Sequence, residues 1–179
     1  MKMTENIHIP AIIKAEEIQS RIGELAQEIE THYAEKSLFL LGVALGGLPF
    51  MNDLSAAMSR DYPSGSVRIQ SYTDTESSRE PVFLEELPGE LNGQDVLIVD
   101  DIYDTGNTLS ALIKKLEQAG AASVRVCVLL TKSRAHECSV EIAYGGFDFP
   151  DVFAVGYGLD YNGEYRDLPF IGELPESAR

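Results

Sequence analysis

Residues 96–109 of the chain read VLIVDDIYDTGNTL, and this segment carries the strongest structural signal in the sequence. Its first four residues, Val96–Val99, are continuously apolar, which is typical of a strand buried on both faces of a parallel sheet. Two carboxylates, Asp100 and Asp101, follow directly. A short polar loop then leads into a helix predicted from about Thr108 to Ala119. Because ligands of open α/β sheets bind at the carboxyl ends of the strands, we expect a binding site at this point.

The loop after the strand has the composition of a phosphate cradle. Gly106 permits close approach of the backbone, the hydroxyls of Thr105 and Thr108 can donate hydrogen bonds, and the amides at the start of the helix point at a bound anion. Taken singly, these residues could equally cap a helix or end a strand. Two carboxylates after a wholly apolar strand are costly unless they bind something, so the complete string favours a site. Neighbouring residues of a strand point to opposite faces, so Asp100 and Asp101 are expected to serve different atoms.

The flanking sequence alternates between strand and helix patterns. Apolar residues at helical spacing predict an amphipathic helix over Ala15–Lys36, and Pro49 is placed to open a second helix that ends near Ser59. The polar stretch Thr73–Glu80 is expected to form a mobile loop. Further strands are predicted at Leu38–Leu45, around Val67–Tyr72, at Val82–Leu84, at Val124–Leu130 and at Phe153–Tyr157. This order predicts an α/β fold with a central parallel sheet flanked by helices.

Composition limits the class of protein. A chain of 179 residues is expected to form one domain, and its net charge of −15 argues against nucleic acid and anionic membranes as partners. The two cysteines, Cys127 and Cys138, imply no disulfide framework, and the scattered histidines and cysteines give no support to a zinc site. The N-terminus has no apolar signal segment, so a cytoplasmic location is expected.

Two other classes of phosphate-binding protein fit poorly. A P-loop would need Gly-x-x-x-x-Gly-Lys followed by Ser or Thr, and this string is absent from the sequence. A phospho-acceptor receiver domain carries its acidic pair after the first strand, whereas Asp100 and Asp101 lie past the middle of this chain.

The segment 96–109 resembles the phosphoribosyl-pyrophosphate motif of the type I phosphoribosyltransferases, in which an apolar strand and two acids precede Asp-Thr-Gly-x-Thr. The later strings at 149–161, FPDVFAVGYGLDY, and 165–172, YRDLPFIG, are similar to the hypoxanthine-guanine branch of that family. The resemblance runs in order from about Ile9 to Leu174. It implies one domain over residues 1–179, with a small hood formed by about residues 1–15 and 145–179.

The resemblance also implies a role for individual residues. Asp104 would be the catalytic residue that accepts the proton at purine N7. Lys132 would donate to the 6-oxo group of the purine, Phe153 would stack on its ring, and backbone near Ala154 would read its edge. Asp100, Asp101 and Asp160 would bind Mg²⁺, the first two also facing the ribose hydroxyls, and Arg166 would meet pyrophosphate. The remaining substrate-binding residues implied are Gly46, Gly47, Ser71, Tyr72, Ile102, Thr105, Gly106, Asn107 and Thr108.

Most of these residues have a simpler structural explanation when taken one at a time. Phe153 could be a core residue, Lys132 and Arg166 could be solvated surface charges, Asp160 could be a turn residue, and Ser71-Tyr72 could end a strand. The order and spacing of the whole set, rather than any one member, favour the functional interpretation. One departure from the family pattern stands out, because Leu45 occupies the position before Gly46-Gly47 where a basic residue is common.

The implied function is purine salvage. A 5-phosphoribosyl group would pass from phosphoribosyl pyrophosphate (PRPP) to hypoxanthine and/or guanine, giving IMP or GMP and pyrophosphate in a Mg²⁺-dependent reaction. The partners would be PRPP, a 6-oxopurine base and further copies of the chain in a dimer or tetramer. Two alternatives stay open at this stage: a xanthine-preferring phosphoribosyltransferase, and a PRPP-sensing regulatory protein of the same fold.

Overall fold

The computed structural model describes residues 8–70, 81–133 and 138–179. The predicted loop Thr73–Glu80 and the predicted site residues Ser71 and Tyr72 lie outside the described residues. The strands are β1 (Ala11–Ile13), β2 (Leu38–Ala44), β3 (Ser64–Gln70), β4 (Val82–Phe83), β5 (Asp95–Tyr103), β6 (Ser123–Lys132), β7 (Tyr144–Phe149), β8 (Ala154–Val155) and β9 (Ile171–Glu173). The helices are α1 (Ala15–His32), α2 (Gly47–Ala57) and α3 (Asn107–Gln118), and a short 3-10 turn covers Glu176–Ala178.

A six-stranded sheet in the order β4-β3-β2-β5-β6-β7 forms the centre of the molecule. All its neighbouring strands are parallel except β4, which runs antiparallel to β3 at one edge. A second sheet of three antiparallel strands has the order β1-β9-β8 and takes its strands from both ends of the described chain. The predicted α/β fold with a central parallel sheet is therefore confirmed.

The central strand β5 separates two hydrophobic cores. Leu97 and Val99 pack into the core that α1 and α2 cover, whereas Val96 and Ile98 pack into the core that α3 covers. All four side chains are fully buried. The continuous apolar run is thus explained by a strand with a covered face on each side. Within the described residues, no helix is both long enough and apolar enough to cross a membrane.

Several predicted boundaries differ from the observed ones. Strand β5 does not end at Val99 but continues to Tyr103, because its pairing with β6 extends to Tyr103 opposite Thr131. Both aspartates therefore lie within the strand. Helix α1 ends at His32 rather than Lys36. Helix α2 begins at Gly47, two residues before Pro49. Pro49 fits there because a proline in the first helical turn removes no hydrogen bond.

The C-terminal part of the chain differs more. Strand β7 had no counterpart in the sequence-based prediction, because Gly145 and Gly146 interrupt its apolar pattern. It pairs with β6, so residues 144–149 belong to the large sheet. The strand predicted at Phe153–Tyr157 is limited to Ala154–Val155 and belongs to the small sheet.

Candidate active site

A cavity of about 400 Å³ lies where the carboxyl ends of the central strands meet the small sheet. Because β2, β5 and β6 are parallel, their carboxyl ends share one edge, and this edge brings together the segments that follow them. Nine residues predicted from the sequence line the cavity: Gly46, Asp101, Ile102, Asp104, Lys132, Phe153, Ala154, Asp160 and Arg166. The cavity is therefore built from segments that are far apart in the chain.

The two adjacent aspartates occupy different positions. Asp101 lines the cavity, whereas Asp100 is 6% exposed, lies beneath the turn at Gly47 and does not line the cavity. Asp100 Oδ1 accepts a hydrogen bond of 2.9 Å from the backbone N–H of Asp101. This arrangement follows the strand alternation, which points neighbouring side chains to opposite faces.

Burial dominates the electrostatics of this pair. It raises the pKa of Asp100 well above its usual range, and the negative charge of Asp101 raises the pKa of Asp100 further. Burial also raises the pKa of Asp101, although hydrogen bonds and the positive charge of Arg166 oppose this shift. Burial and the approach of like charges both favour the neutral form of a carboxyl group.

The turn after β2 lies directly against Asp101. A side chain at Gly46 would collide with the Asp101 carboxylate, so the backbone can approach only because this residue is glycine. Leu45 lines the cavity beside it and is 50% exposed. The turn thus presents backbone groups and one apolar side chain, where the family pattern has a basic one.

The predicted phosphate loop forms the start of α3. Gly106 is the residue before the helix and has a φ of 86°, a left-handed conformation that glycine adopts at little cost. Thr105 Oγ1 accepts a long hydrogen bond of 3.4 Å from the backbone N–H of Asn107. The loop is held from outside as well, because the backbone N–H of Cys138 donates to the Thr105 carbonyl at 2.9 Å. The N-terminal end of a helix offers backbone N–H groups and a partial positive charge to a phosphate.

Lys132 is the last residue of β6 and lines the cavity. Its side chain is 12% exposed, and its ammonium lies 3.9 Å from Asp104 Oδ2 and 3.7 Å from Asp151 Oδ1. Asp104 and Lys132 therefore face the same part of the cavity. A cation that is largely removed from solvent and flanked by carboxylates is not an ordinary solvated surface charge.

Arg166 and Asp160 form an ion pair at the cavity wall. Arg166 Nη2 lies 2.6 Å from Asp160 Oδ1, and Arg166 Nη1 donates to the Gly158 carbonyl at 2.6 Å. The second oxygen of Asp160 accepts a 2.7 Å hydrogen bond from the backbone N–H of Gly163. These contacts fix both side chains beside Asp101.

Phe153 supplies the aromatic part of the cavity lining. Its ring makes an edge contact with Tyr161 at 5.5 Å between centroids, and the guanidinium of Arg179 lies 5.4 Å from the ring centre. Ile69 and Leu159 also line the cavity and were not predicted, because an isolated apolar residue in a sequence does not indicate a binding site. The other predicted residues that the structure describes do not line this cavity; they are Gly47, Asp100, Thr105, Gly106, Asn107 and Thr108.

The carboxylates of the cavity determine how a Mg²⁺ ion could bind there. Within residues 8–70, 81–133 and 138–179, no cluster of three or more His, Cys, Asp or Glu side chains could hold a metal ion alone. Mg²⁺ is usually bound by one or two carboxylates together with substrate phosphates and water. Asp101 and Asp160, which both line the cavity, fit that mode of binding.

Comparison with known proteins agrees with this geometry. Residues 11–162 match the phosphoribosyl transferase domain family. The chain is 43% identical over 170 residues to a hypoxanthine-guanine phosphoribosyltransferase of Mycobacterium tuberculosis, with 91% of this chain and 84% of that protein covered.

Two solved structures have the same fold. The crystal structure of a hypoxanthine phosphoribosyltransferase from Staphylococcus aureus has a TM-score of 0.91 and 32% identity, covering 98% of each chain. A hypoxanthine-guanine-xanthine phosphoribosyltransferase has a TM-score of 0.84 and 32% identity, covering 93% of this chain and 97% of the other. The chain therefore belongs to the phosphoribosyl transferase domain family.

Proposed function

We propose that the protein transfers the 5-phosphoribosyl group of PRPP to hypoxanthine and/or guanine, releasing pyrophosphate. The observation that carries this proposal is the composition of the cavity described above. Its lining contains an aromatic ring and an ammonium, at Phe153 and Lys132, together with carboxylates and a guanidinium, at Asp101, Asp160 and Arg166. A flat 6-oxopurine and a polyphosphorylated ribose need these two kinds of group in one cavity.

The base would lie between Phe153 and the end of β6. Phe153 offers its ring for stacking, and Lys132 offers a donor to the 6-oxo group. The backbone at Ala154 would read the edge of the ring. Ile69, Ile102 and Leu159 add apolar surface to the same cavity, which would favour a planar heterocycle over water.

The phosphorylated ribose would lie between the turn after β2 and the start of α3. Thr105, Gly106, Asn107 and Thr108 would hold the 5-phosphate at the helix N-terminus. Asp101 would accept hydrogen bonds from the ribose hydroxyls. Asp100 would act mainly by supporting Asp101, since it is buried beneath Gly47 and hydrogen-bonds the Asp101 backbone.

The leaving pyrophosphate would face Arg166 and the backbone of Gly46-Gly47. A guanidinium is suited to phosphate oxygens because its donors form a planar fork. Asp101 and Asp160 would hold Mg²⁺ together with phosphate oxygens of the substrate. A bound Mg²⁺ supplies neutralisation of the negative charge that grows on the departing pyrophosphate.

The chemical step forms a bond between a purine nitrogen and the anomeric carbon while the bond from that carbon to pyrophosphate breaks. The base must lose a proton as this occurs. Asp104 lies beside Lys132, with Oδ2 at 3.9 Å from the ammonium, so it would be close to the purine N7 of a base held by Lys132. We assign Asp104 as the proton acceptor. General base catalysis of this kind contributes a factor of about a hundred to ten thousand in rate.

Steady-state kinetics with hypoxanthine, guanine and xanthine, each with PRPP and Mg²⁺, test this proposal. We expect kcat/KM for hypoxanthine or guanine to exceed that for xanthine. A higher value for xanthine would replace the proposed specificity with the xanthine-preferring alternative. Tight PRPP binding without turnover of any base would instead favour a PRPP-sensing regulator.

A further inference from the structure

Tyr157 has an unusual backbone conformation and a buried side chain. It lies between β8 and Asp160 and has a φ of 50°, a left-handed value that is rare for a residue with a large side chain. Its backbone N–H donates to the Leu168 carbonyl at 2.8 Å, and the residue is 9% exposed. The side chain packs in the core that α1 and α2 cover.

The hydroxyl of Tyr157 forms a hydrogen bond with a residue of α2. It donates a hydrogen bond of 2.5 Å to Asp53 Oδ2, and the same oxygen accepts a hydrogen bond of 2.8 Å from Gln19 Nε2. A hydroxyl-to-carboxylate bond of this length is among the strong class of protein hydrogen bonds. Burial raises the pKa of Tyr157, and the hydrogen bond to Asp53 raises it further, so the hydroxyl stays a donor.

A second contact ties the same loop to the start of α2. Gly158 packs so closely against the Gly46 carbonyl that a side chain at position 158 would collide with it. The Cβ of such a side chain would also lie 3.1 Å from Pro49 Cγ. Gly46 directly precedes α2, and Asp53 lies within α2. The loop at residues 157–158 contacts both of them.

The residues that follow Gly158 are the ones proposed to act on pyrophosphate. Arg166 Nη1 donates to the Gly158 carbonyl at 2.6 Å, and the Gly158 N–H donates to the Arg166 carbonyl at 3.0 Å. Arg166 in turn pairs with Asp160. An unbroken chain of contacts therefore runs from Asp53 through Tyr157 and Gly158 to Arg166.

We propose that Tyr157 and Asp53 are positioning residues that fix the Arg166–Asp160 pair relative to the Gly46-Gly47 turn and thereby set the affinity for the pyrophosphate group. This inference rests on the proposed function, in which Arg166 and the Gly46-Gly47 turn face that group. Neither Tyr157 nor Asp53 lines the cavity, so neither is expected to touch a substrate.

The test compares Tyr157→Phe and Asp53→Ala with the conservative variant Asp53→Asn. Inhibition by pyrophosphate and KM for PRPP are measured together with KM for hypoxanthine. We expect Tyr157→Phe and Asp53→Ala to weaken pyrophosphate inhibition and raise KM for PRPP by about tenfold, which corresponds to about 1.4 kcal/mol. KM for hypoxanthine should change less than twofold. Asp53→Asn should recover most of the loss, because the amide oxygen still accepts the Tyr157 hydrogen bond.

Tyr33→Phe is the matched control. Tyr33 is also buried, at 1% exposure, but it follows α1 at the amino-terminal edge of the sheet, and its hydroxyl has no hydrogen-bond partner among the described residues. We expect its kinetic constants to equal those of the unmodified protein. The double variant Tyr157→Phe/Asp53→Ala should show the same pyrophosphate inhibition and the same KM for PRPP as either single variant. Both substitutions remove the same hydrogen bond, so their effects should not add.

Two outcomes would overturn the inference. Unchanged pyrophosphate inhibition in Tyr157→Phe, with a clear defect in Arg166→Gln, would show that the hydrogen bond does not position the pair. If KM for hypoxanthine rises as much as pyrophosphate inhibition weakens, Tyr157 and Asp53 have a general structural role. Unchanged pyrophosphate inhibition in Arg166→Gln would instead contradict the proposed site itself, so the two failures are distinguishable.

Discussion

The guanidinium of Arg166 lies 2.6 Å from the carboxylate of Asp160, so the two charged groups proposed to meet pyrophosphate and its metal ion contact each other directly. Asp160 also accepts a hydrogen bond from the Gly163 N–H, and Arg166 also donates to the Gly158 carbonyl. Each side chain is thus held in place by backbone as well as by its partner. Such preorganisation lowers the entropic cost of binding a phosphorylated ligand.

Replacement of Arg166 should separate the role of its charge from that of its geometry. We expect Arg166→Gln to raise KM for PRPP by about tenfold to a hundredfold, as for loss of a hydrogen bond to a charged group. Arg166→Lys should give an intermediate value because the charge remains while the planar fork is lost. Arg60→Gln is the control, since Arg60 donates to the Tyr33 and Ala34 carbonyls outside the cavity. Equal KM values for Arg166→Gln and Arg60→Gln would contradict the assigned role.

Asp104→Asn should reduce turnover without preventing PRPP binding. The amide keeps the size of the carboxylate but cannot accept the purine proton, so kcat should fall by about a hundredfold or more. PRPP affinity, measured by isothermal titration calorimetry, should remain within a factor of about three because Asp104 is proposed to face the base rather than PRPP. Asp151→Asn removes the other carboxylate near Lys132 and serves as the matched control. A kcat for Asp104→Asn equal to that of Asp151→Asn would remove Asp104 from the mechanism.

Leu45→Lys should restore the basic side chain that the family pattern has before the two glycines. Leu45 is half exposed and lines the cavity, so a lysine there can reach solvent and a bound anion without repacking the core. We expect pyrophosphate inhibition at low salt to strengthen by about twofold to fivefold, in line with an exposed charge pair, and the gain to shrink at high salt. Leu45→Met controls for the change of shape. If pyrophosphate inhibits the Leu45→Lys and Leu45→Met variants equally at low salt, the missing charge has no effect on pyrophosphate binding.

The two cysteines should differ in their reaction with thiol reagents. Cys127 is fully buried in β6, and this burial raises the pKa of its thiol, which disfavours the reactive thiolate. Cys138 is partly exposed, and its sulfur lies 2.9 Å from Asn107 Oδ1 at the phosphate loop. We expect one thiol to react rapidly in the folded protein and two thiols to react after unfolding. The rapid reaction of the folded protein should be absent in Cys138→Ser.

Cys138 also provides a probe of the phosphate loop. Binding of IMP should slow its modification several-fold, because a 5-phosphate held at residues 105–108 would order the segment against which Cys138 packs. Modification at the same rate with saturating IMP would count against that placement of the phosphate.

The parts of the structure that follow from contiguous residues could be predicted from the sequence. The apolar run at 96–99 and the polar loop after it are contiguous, so both the central strand and the start of α3 could be predicted. Their place at the edge shared by parallel carboxyl ends followed from general rules of α/β folds. The family resemblance then implied roles for Lys132, Asp160 and Arg166, all of which line the cavity.

The features that were missed depend on contacts between distant segments. Strand β7 was missed because two glycines replace the branched apolar residues that usually mark a strand, although its pairing with β6 stabilises it. The hydrogen bond between Tyr157 and Asp53 joins residues 104 positions apart, and neither residue carries a motif that indicates the other. Ile69 and Leu159 line the cavity because the fold brings them there, and no motif in their sequence indicates this.

Product analysis with purified protein tests the central claim most directly. Hypoxanthine, PRPP and Mg²⁺ are incubated with the protein, and IMP and pyrophosphate are quantified over time. The proposed function predicts that IMP and pyrophosphate appear in equal amounts, each matching the PRPP consumed. Consumption of PRPP without IMP, or no reaction with either hypoxanthine or guanine, would contradict it.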